Sequence, residues 1–162
     1  MKEACRAYRV FISHASADVW IAREFAEKIR GLGAEPFLDY DEIHAGDRFE
    51  DKLLHNVRLS DELLVLLTPK ALERKYIWLE IGAVWAQGKR IVVILYGVTD
   101  RDLEKKNVPL LLKATQRLEI NTFDTYLREL YQRIAVASNT RASRNEPSSL
   151  ASTWKGNIVC PA

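Results

Sequence analysis

Short apolar runs at intervals along the chain are the main feature of its hydrophobic pattern. The clearest covers residues 63–67, Leu-Leu-Val-Leu-Leu, between the polar pair Asp61-Glu62 and Thr68-Pro69. An apolar run without alternation is typical of a strand that is buried on both faces. Residues 91–95 have the same character, and residues 8–13 are rich in β-branched and aromatic side chains. The pattern predicts strands at all three places.

Two weaker segments complete the predicted strands. Residues 35–38 form a short one, and because Pro36 cannot donate to a strand ladder, we expect it at an edge of the sheet. Residues 115–120 alternate weakly between apolar and polar positions and are predicted as a fifth strand.

Helical spacing of apolar residues separates these strands. It predicts helices at about 18–32 and 122–137, helical faces between 49 and 57 and from 77 onward, and a short turn at 102–106. Ser16 and Asp18 are residue types that begin helices. The side chains predicted to face the core are Trp20, Ile21, Phe25, Ile29, Leu32, Phe49, Leu53, Leu54, Val57, Ile77, Ile81, Val84, Trp85, Phe123, Leu127, Leu130, Tyr131 and Ile134.

Strands that alternate with helices predict an α/β fold with a five-stranded parallel sheet and helices on both faces. The edge position of the second strand indicates the flavodoxin-like order 2-1-3-4-5, whose switch point lies between strands one and three. We expect residues 13–16, the polar loop 39–47 and residues 68–80 around one crevice there. A receiver domain shares this order but would need acids where Ser13, His14 and Thr68 stand.

Glu80 is the candidate for chemistry, because it stands between Leu79 and Ile81 in an otherwise apolar helix near that crevice. Open parallel sheets bind their ligands at the carboxyl ends of the strands. The alternative is a solvated acid near a helix N-terminus, where the helix dipole stabilises it by ~0.3–1 kcal/mol.

Composition and charge exclude several classes of function. A formal net charge of +2 over 162 residues provides no general attraction to nucleic acid or to anionic membranes. No apolar run approaches a membrane span, and the first residues lack the apolar core of a signal peptide. Cys5 and Cys160 have neither a zinc-site nor a disulfide-framework spacing. We expect a cytoplasmic protein with reduced thiols.

No metal site is expected either. The acidic loop 39–47 does not have the spacing of a calcium loop, and His14 has no second ligand at short spacing. Residues 138–162 lose apolar periodicity, so we expect one domain over 1–137 and a disordered tail over 138–162. Docking of Trp154 or of Ile158-Val159 is the alternative for that tail.

The motifs resemble those of the Toll/interleukin-1 receptor (TIR) domain, especially its bacterial NAD-cleaving members. The resemblance covers about residues 8–134. It rests on Tyr-Arg-Val-Phe-Ile-Ser-His-Ala-Ser at 8–16 with Asp18, on Gly46 and Phe49, on Ser60-Asp61 before the central strand and Thr-Pro, and on Glu80 followed by Ile-Gly-Ala. Where the family often has Ser-Trp, this chain has Lys75 and Tyr76, with a further aromatic at Trp78.

The resemblance implies cleavage of NAD at the nicotinamide–ribose bond, with Glu80 as the catalytic residue. Breaking this bond builds positive charge on the ribose, which a nearby carboxylate can stabilise. Nicotinamide leaves as a neutral molecule, so no second carboxylate is needed to protonate it. NAD is then the substrate, and no cofactor is expected. The residues implied in substrate binding are Ser13, His14, Ala15, Ser16, Phe37, Asp39, Gly46, Tyr76 and Trp78.

The product and the biological role stay open at this point. Water as acceptor gives ADP-ribose, whereas an internal atom gives a cyclic ADP-ribose signal. The resemblance implies assembly with other TIR domains, and it favours a bacterial antiphage role in which a separate effector protein senses the product. The alternatives are a non-enzymatic TIR adaptor and an effector that mimics host adaptors.

Overall fold

A five-stranded, wholly parallel sheet forms the centre of the computed structural model, which describes residues 6–38, 49–106 and 117–144. The strands are β1 (Arg9–Ser13), β2 (Glu35–Leu38), β3 (Glu62–Leu67), β4 (Arg90–Leu95) and β5 (Arg117–Glu119). Their order is β2-β1-β3-β4-β5, and each neighbouring pair is parallel. The predicted strand order and the edge position of the proline-containing strand are therefore confirmed.

Helices cover both faces of this sheet. They are α1 (Val19–Gly31), α2 (Phe49–Leu59), α3 (Pro69–Leu72), α4 (Lys75–Ala86), α5 (Asp100–Lys105) and α6 (Phe123–Arg144), with short 3₁₀ turns at Ser16–Asp18 and Ile120–Thr122. None of the helices in the described residues has the length and apolarity needed to cross a membrane.

The alternating direction of strand side chains divides the core into two layers. Phe11, Leu63 and Val65 contribute to the layer that packs against α2, α3, α4 and α5. Val10 and Leu64 contribute to the opposite layer, against α1 and α6. All six residues of β3 are buried because this strand is covered on both faces and paired on both edges.

The side chains of Phe49 and Leu53 lie outside the described ones, and among the other predicted core residues four are exposed instead. Trp20, Trp85 and Tyr131 are 62%, 60% and 61% exposed, and Leu54 is also exposed. The residues actually buried on α1 are Ile21, Ala22, Phe25, Ala26 and Ile29. With 3.6 residues per turn, Trp20 lies on the side of α1 roughly opposite the centre of this buried face. By the same geometry, Trp85 and Tyr131 lie roughly a quarter turn from the centres of the buried faces of α4 and α6.

The last helix is longer than the apolar pattern indicates. α6 continues to Arg144, so residues 138–144 are helical rather than part of a tail. Ser138 Oγ donates to the carbonyl oxygen of Ile134 at 2.9 Å, a bond back along the helix that accommodates a polar residue here. The rest of the predicted tail, 145–162, lies outside the described residues.

A buried carboxylate joins the amino end of the sheet to α6. Glu62, which the pattern places outside the strand as a polar boundary, is the first residue of β3 and is fully buried. It accepts hydrogen bonds from Tyr8 Oη at 2.8 Å, Tyr126 Oη at 2.7 Å and Arg133 Nε at 2.8 Å. Burial and then the Glu62 carboxylate raise the pKa of both tyrosines.

Candidate functional site

The candidate site lies at the carboxyl ends of β1 and β3, which are adjacent strands whose connections run to opposite faces of the sheet. This is the switch point of the fold, where parallel α/β sheets bind ligands. Ser13 ends β1, Thr68 follows β3, and α4 begins seven residues after Thr68. The end of β1 therefore meets the continuous segment from Thr68 to α4, which is more than 50 positions away in sequence.

Glu80 is buried on the core-facing side of α4. Its exposure is 3%, comparable with that of Ile77 and Ile81 on the same helix. Ile77 lies three positions before Glu80 and Val84 four positions after it, spacings that share one face of an α-helix, so the periodicity that buries these apolar residues also directs Glu80 inward. The interpretation of Glu80 as a solvated acid is therefore wrong.

Ser13 holds the Glu80 carboxylate. Its hydroxyl, which is fully buried, donates a short hydrogen bond to Glu80 Oε2. Ser13 faces α4 because it lies two residues after Phe11, and alternate residues of a strand point to the same side. The contact joins the last residue of β1 to the middle of α4 across the switch point.

Phe37 shares this side of the sheet. Its ring stacks on that of Phe11 with the centroids 5.0 Å apart and the planes 2° from parallel. The pairing follows from the register of β1 with β2, in which Phe11 and Phe37 are direct partners. Phe37 is partly buried and packs against the same core layer as Phe11.

Thr68 connects the start of α3 to the segment after β1. Its Oγ1 accepts from the backbone N–H of Ala71 at 3.1 Å, which makes it the N-cap of α3 ahead of Pro69. The same hydroxyl donates to Asp18 Oδ2 at 2.5 Å. Asp18 therefore does not cap α1 with its side chain as predicted, but fixes the β1 and β3 ends relative to each other.

The loop after β1 carries three further predicted residues. His14 and Ala15 are buried, and His14 Nδ1 lies 3.2 Å from the carbonyl oxygen of Ile12. Ser16 is exposed, and its Oγ accepts a hydrogen bond from Arg74. Arg74 immediately precedes α4, so this contact is a second link between the β1 loop and the segment that carries Glu80.

The two aromatic candidates differ in their surroundings. Trp78 is partly buried and packs against the core layer beneath α4. Tyr76 is 42% exposed. Of the two, Tyr76 has the greater surface to offer a planar ligand. The other predicted binding residues, Asp39 and Gly46, lie outside the described residues.

Sequence reasoning singled out Ser13 and Glu80, which the structure brings into contact, but it did not predict the contacts of Thr68, Asp18 and Arg74. A helix-starting threonine before a proline is a local signal, but its link to Asp18 spans 50 positions. Arg74 and Ser16 are 58 positions apart, and a pairing of two polar residues at that distance leaves no periodic trace. Within the ranges that the structure describes, no group of three or more metal-ligating side chains is present.

The arrangement suits the stabilisation of a developing cation. A carboxylate that is almost fully buried interacts with nearby positive charge more strongly than one in water, because the local dielectric constant is lower. The hydrogen bond from Ser13 keeps that carboxylate in one orientation, so little reorganisation is needed when charge appears. This is the requirement of a reaction that passes through an oxocarbenium-like state.

Comparisons with known proteins yielded one family model and several relatives. The model described as TIR domain matches residues 10–134. The 2′ cyclic ADP-D-ribose synthase BtTIR of Bacteroides thetaiotaomicron is 26% identical over 133 residues, which make up 79% of this chain and 46% of that protein. BdTIR of Brachypodium distachyon, named a probable 2′ cyclic ADP-D-ribose synthase, is 26% identical over 98 residues, 59% of this chain and 44% of that protein.

The chain thus spans less than half the length of these two curated relatives. Among solved structures, the TIR domain of the Toll-related receptor TRR-2 from Hydra magnipapillata has a TM-score of 0.56 at 20% identity. The match covers 86% of this chain and 100% of that domain, and it shows a shared fold.

Proposed function

This chain belongs to the TIR domain family, and from that premise we propose that it cleaves NAD at the bond between nicotinamide and ribose. The observation that carries the proposal is the buried Glu80 carboxylate, held by Ser13 at the switch point of the sheet. The names of the two curated relatives, both cyclic ADP-ribose synthases, support the same substrate.

In the proposed reaction, the C1′–N bond breaks and nicotinamide leaves with the bonding electron pair. Nicotinamide becomes neutral in this step, and the positive charge moves to the ribose C1′ and its ring oxygen. Glu80 stabilises that charge through the low-dielectric electrostatics described above. NAD serves as the substrate, and the scheme uses no separate cofactor.

The product depends on what attacks C1′. Water, which loses one proton, gives ADP-ribose, and a nucleophilic atom of the same molecule gives a cyclic ADP-ribose. We favour the cyclic product because both curated relatives are named for one. A cyclic nucleotide would serve as a signal for a separate effector protein, and antiphage defence is the role that the resemblance to bacterial members supports.

The test is to incubate the purified protein with NAD and to separate the products by chromatography. We expect nicotinamide to appear together with an equal amount of a cyclic ADP-ribose. ADP-ribose in its place would leave the cleavage intact and contradict the cyclic assignment. If no nicotinamide is released across a wide range of protein concentrations, the cleavage proposal is wrong and the adaptor alternative gains support.

We also propose that the protein assembles with copies of itself, as the TIR family suggests. α4, the helix that carries Glu80, exposes three large apolar side chains, Tyr76, Leu79 and Trp85. Leu79 and Trp85 are more than half exposed, at 54% and 60%. Tyr76 and Trp85, nine residues apart, lie on opposite sides of the helix, so packing of the side that carries Leu79 and Trp85 against a second copy would remove part of that apolar surface from water.

A further inference from the structure

Arg74 lies between the two segments that form the candidate site. It is the residue before α4 and stands six positions before Glu80. Its side chain is partly buried, and one guanidinium nitrogen donates to Ser16 Oγ in the loop after β1. The contact places a permanent positive charge beside Ser16, three residues after Ser13.

The proposed substrate needs positive charge close to this position. NAD carries a diphosphate, with two negative charges, bonded to the C5′ oxygen of the ribose that Glu80 would face. The described site also contains Asp18 and Glu80, which repel such a group at short range. A guanidinium is the side chain best matched to it, because its fixed fork of N–H groups can bind phosphate oxygens in pairs.

The spacing of the two contacts along the chain fits the same assignment. Ser13 contacts Glu80 and Ser16 contacts Arg74, so the two contacts are three residues apart on one segment. Three residues span at most ~10 Å in extended backbone. The chemical group next to a ribose bound at Ser13 is therefore within reach of Ser16 and Arg74.

We propose that Arg74, together with Ser16, binds the diphosphate of NAD while Glu80 faces the adjoining ribose. The inference rests on the proposed NAD cleavage and deepens it, since it assigns the part of the site that distinguishes NAD from nicotinamide nucleosides. Arg74 is a binding residue in this scheme and takes no part in bond cleavage.

A contact to the diphosphate is made equally in the ground state and the transition state. Its loss therefore raises KM and leaves kcat unchanged. We expect Arg74→Gln to raise KM for NAD roughly 10- to 100-fold, the range for hydrogen bonds to charged groups. Arg74→Lys should give a smaller increase, because an ammonium keeps the charge without the fork.

Nicotinamide riboside is the discriminating probe, because it has the same scissile bond but no phosphate. Its kcat/KM should be the same in wild type and in Arg74→Gln, so the preference of wild type for NAD should shrink in the variant. Arg58→Gln is the matched control. Arg58 is exposed near the end of α2, just before the chain begins β3 at the amino end of the sheet. The substitution therefore removes the same charge at the end of the sheet opposite the site.

The outcomes separate this inference from the proposed function. An unchanged KM for NAD in Arg74→Gln, with wild-type cleavage present, overturns the role of Arg74 alone. Equal losses of kcat/KM on NAD and on nicotinamide riboside would show that Arg74 only holds the two segments together, and this result would also overturn the inference. If Arg74→Gln does not fold, the KM of Arg74→Lys for NAD is used instead: an increase supports the role of Arg74, and an unchanged value overturns it. Absence of cleavage by wild type on both compounds overturns the inference together with the proposed function.

Discussion

At the scale of single residues, the Ser13–Glu80 hydrogen bond is the contact on which the proposed chemistry depends. It connects the predicted catalytic residue, Glu80, to the predicted binding residue at the end of β1, Ser13. Both are buried, so the bond is protected from competition with water. A serine hydroxyl that donates to a carboxylate fixes its direction and counteracts part of the cost of burying its charge.

Ser13→Ala removes this donor and should lower kcat by roughly 10- to 100-fold, the equivalent of ~1.5–3 kcal/mol for a hydrogen bond to a charged group. Ser60→Ala is the matched control. Ser60 is a buried serine at the amino end of β3 whose hydroxyl donates to the carbonyl oxygen of Val57 at 2.8 Å. It should cost comparable stability and leave kcat unchanged. Equal kcat values for Ser13→Ala and wild type would contradict the positioning role of Ser13.

At the scale of elements, Thr68 ties the start of α3 to the β1 side of the site. Thr68→Ala should lower stability by ~1 kcal/mol through loss of the cap, or about 2–4 °C in Tm for a domain of this size. It should also lower activity, because the bond to Asp18 that aligns β1 and β3 is lost.

Thr99→Ala provides the comparison for this prediction. Thr99 caps α5 through a reciprocal pair of bonds with Asp102, and these bonds stay within the first turn of α5. The substitution should lower Tm by a similar amount and leave cleavage of NAD at the wild-type rate. Thermal melts and initial rates on both variants check the prediction, and equal activity losses in the two would refute a specific role for Thr68.

Local signals were sufficient to predict most elements. Pro36 indicates the edge strand, and the apolar run at 63–67 indicates the central one, because the chemistry of each residue constrains its own backbone. Burial of individual aromatic residues was not predictable in the same way. Tyr131 and Tyr126 are close in sequence on one helix, yet Tyr131 is exposed and Tyr126 is fully buried. Helical periodicity places Tyr126 on the buried face and Tyr131 beside it, and Glu62, which lies 64 positions from Tyr126, accepts the hydrogen bond that allows this tyrosine hydroxyl to be buried.

The candidate site shows the same limit. Glu80 is conspicuous because it interrupts an apolar helix, and Ser13 because it ends a strand at the switch point. Arg74 has neighbours of the same polar character, Glu73 and Lys75, and nothing local distinguishes it. Its contact with Ser16 exists only once the chain is folded.

At the scale of the whole molecule, Glu62 and its hydrogen-bond partners Tyr8, Tyr126 and Arg133 connect α6 to the amino end of the sheet, away from the candidate site. A tyrosine with a raised pKa in the folded state contributes stability that is present below its unfolded pKa and is lost as the pH rises through the folded value. The pKa of Tyr126 is raised by burial and then by Glu62. Stability should therefore decline above pH ~10, where an unfolded tyrosine ionises.

Tyr126→Phe tests this linkage. At neutral pH the variant should be less stable by ~1–3 kcal/mol, because the buried Glu62 carboxylate loses a donor. Above pH ~10 the wild type loses the stabilisation that the neutral Tyr126 hydroxyl provides, which the variant never had. The difference in Tm between wild type and variant should therefore narrow. Melts from pH 8 to 11 measure it, with the exposed Tyr131→Phe as control. A difference that stays constant over this range would contradict the account.

Self-assembly through α4 is also a property of the whole molecule. We expect specific NAD cleavage to rise with protein concentration, together with the molecular mass measured by light scattering. Trp85→Ser should weaken both effects, because it removes exposed apolar surface from α4. Trp20→Ser, a change of an equally exposed tryptophan on α1, should not. Equal effects of the two substitutions would argue against α4 as the contact.

The most direct test of the central claim is the rate of nicotinamide release by Glu80→Gln, measured with its Tm. Glutamine keeps the shape and an oxygen to accept from Ser13, but it cannot supply the negative charge. We predict a loss of at least roughly 100-fold in kcat, a Tm within about 4 °C of wild type, and no change in either quantity for Glu73→Gln, an exposed acid seven residues earlier. A Glu80→Gln protein that releases nicotinamide at the wild-type rate would contradict the account.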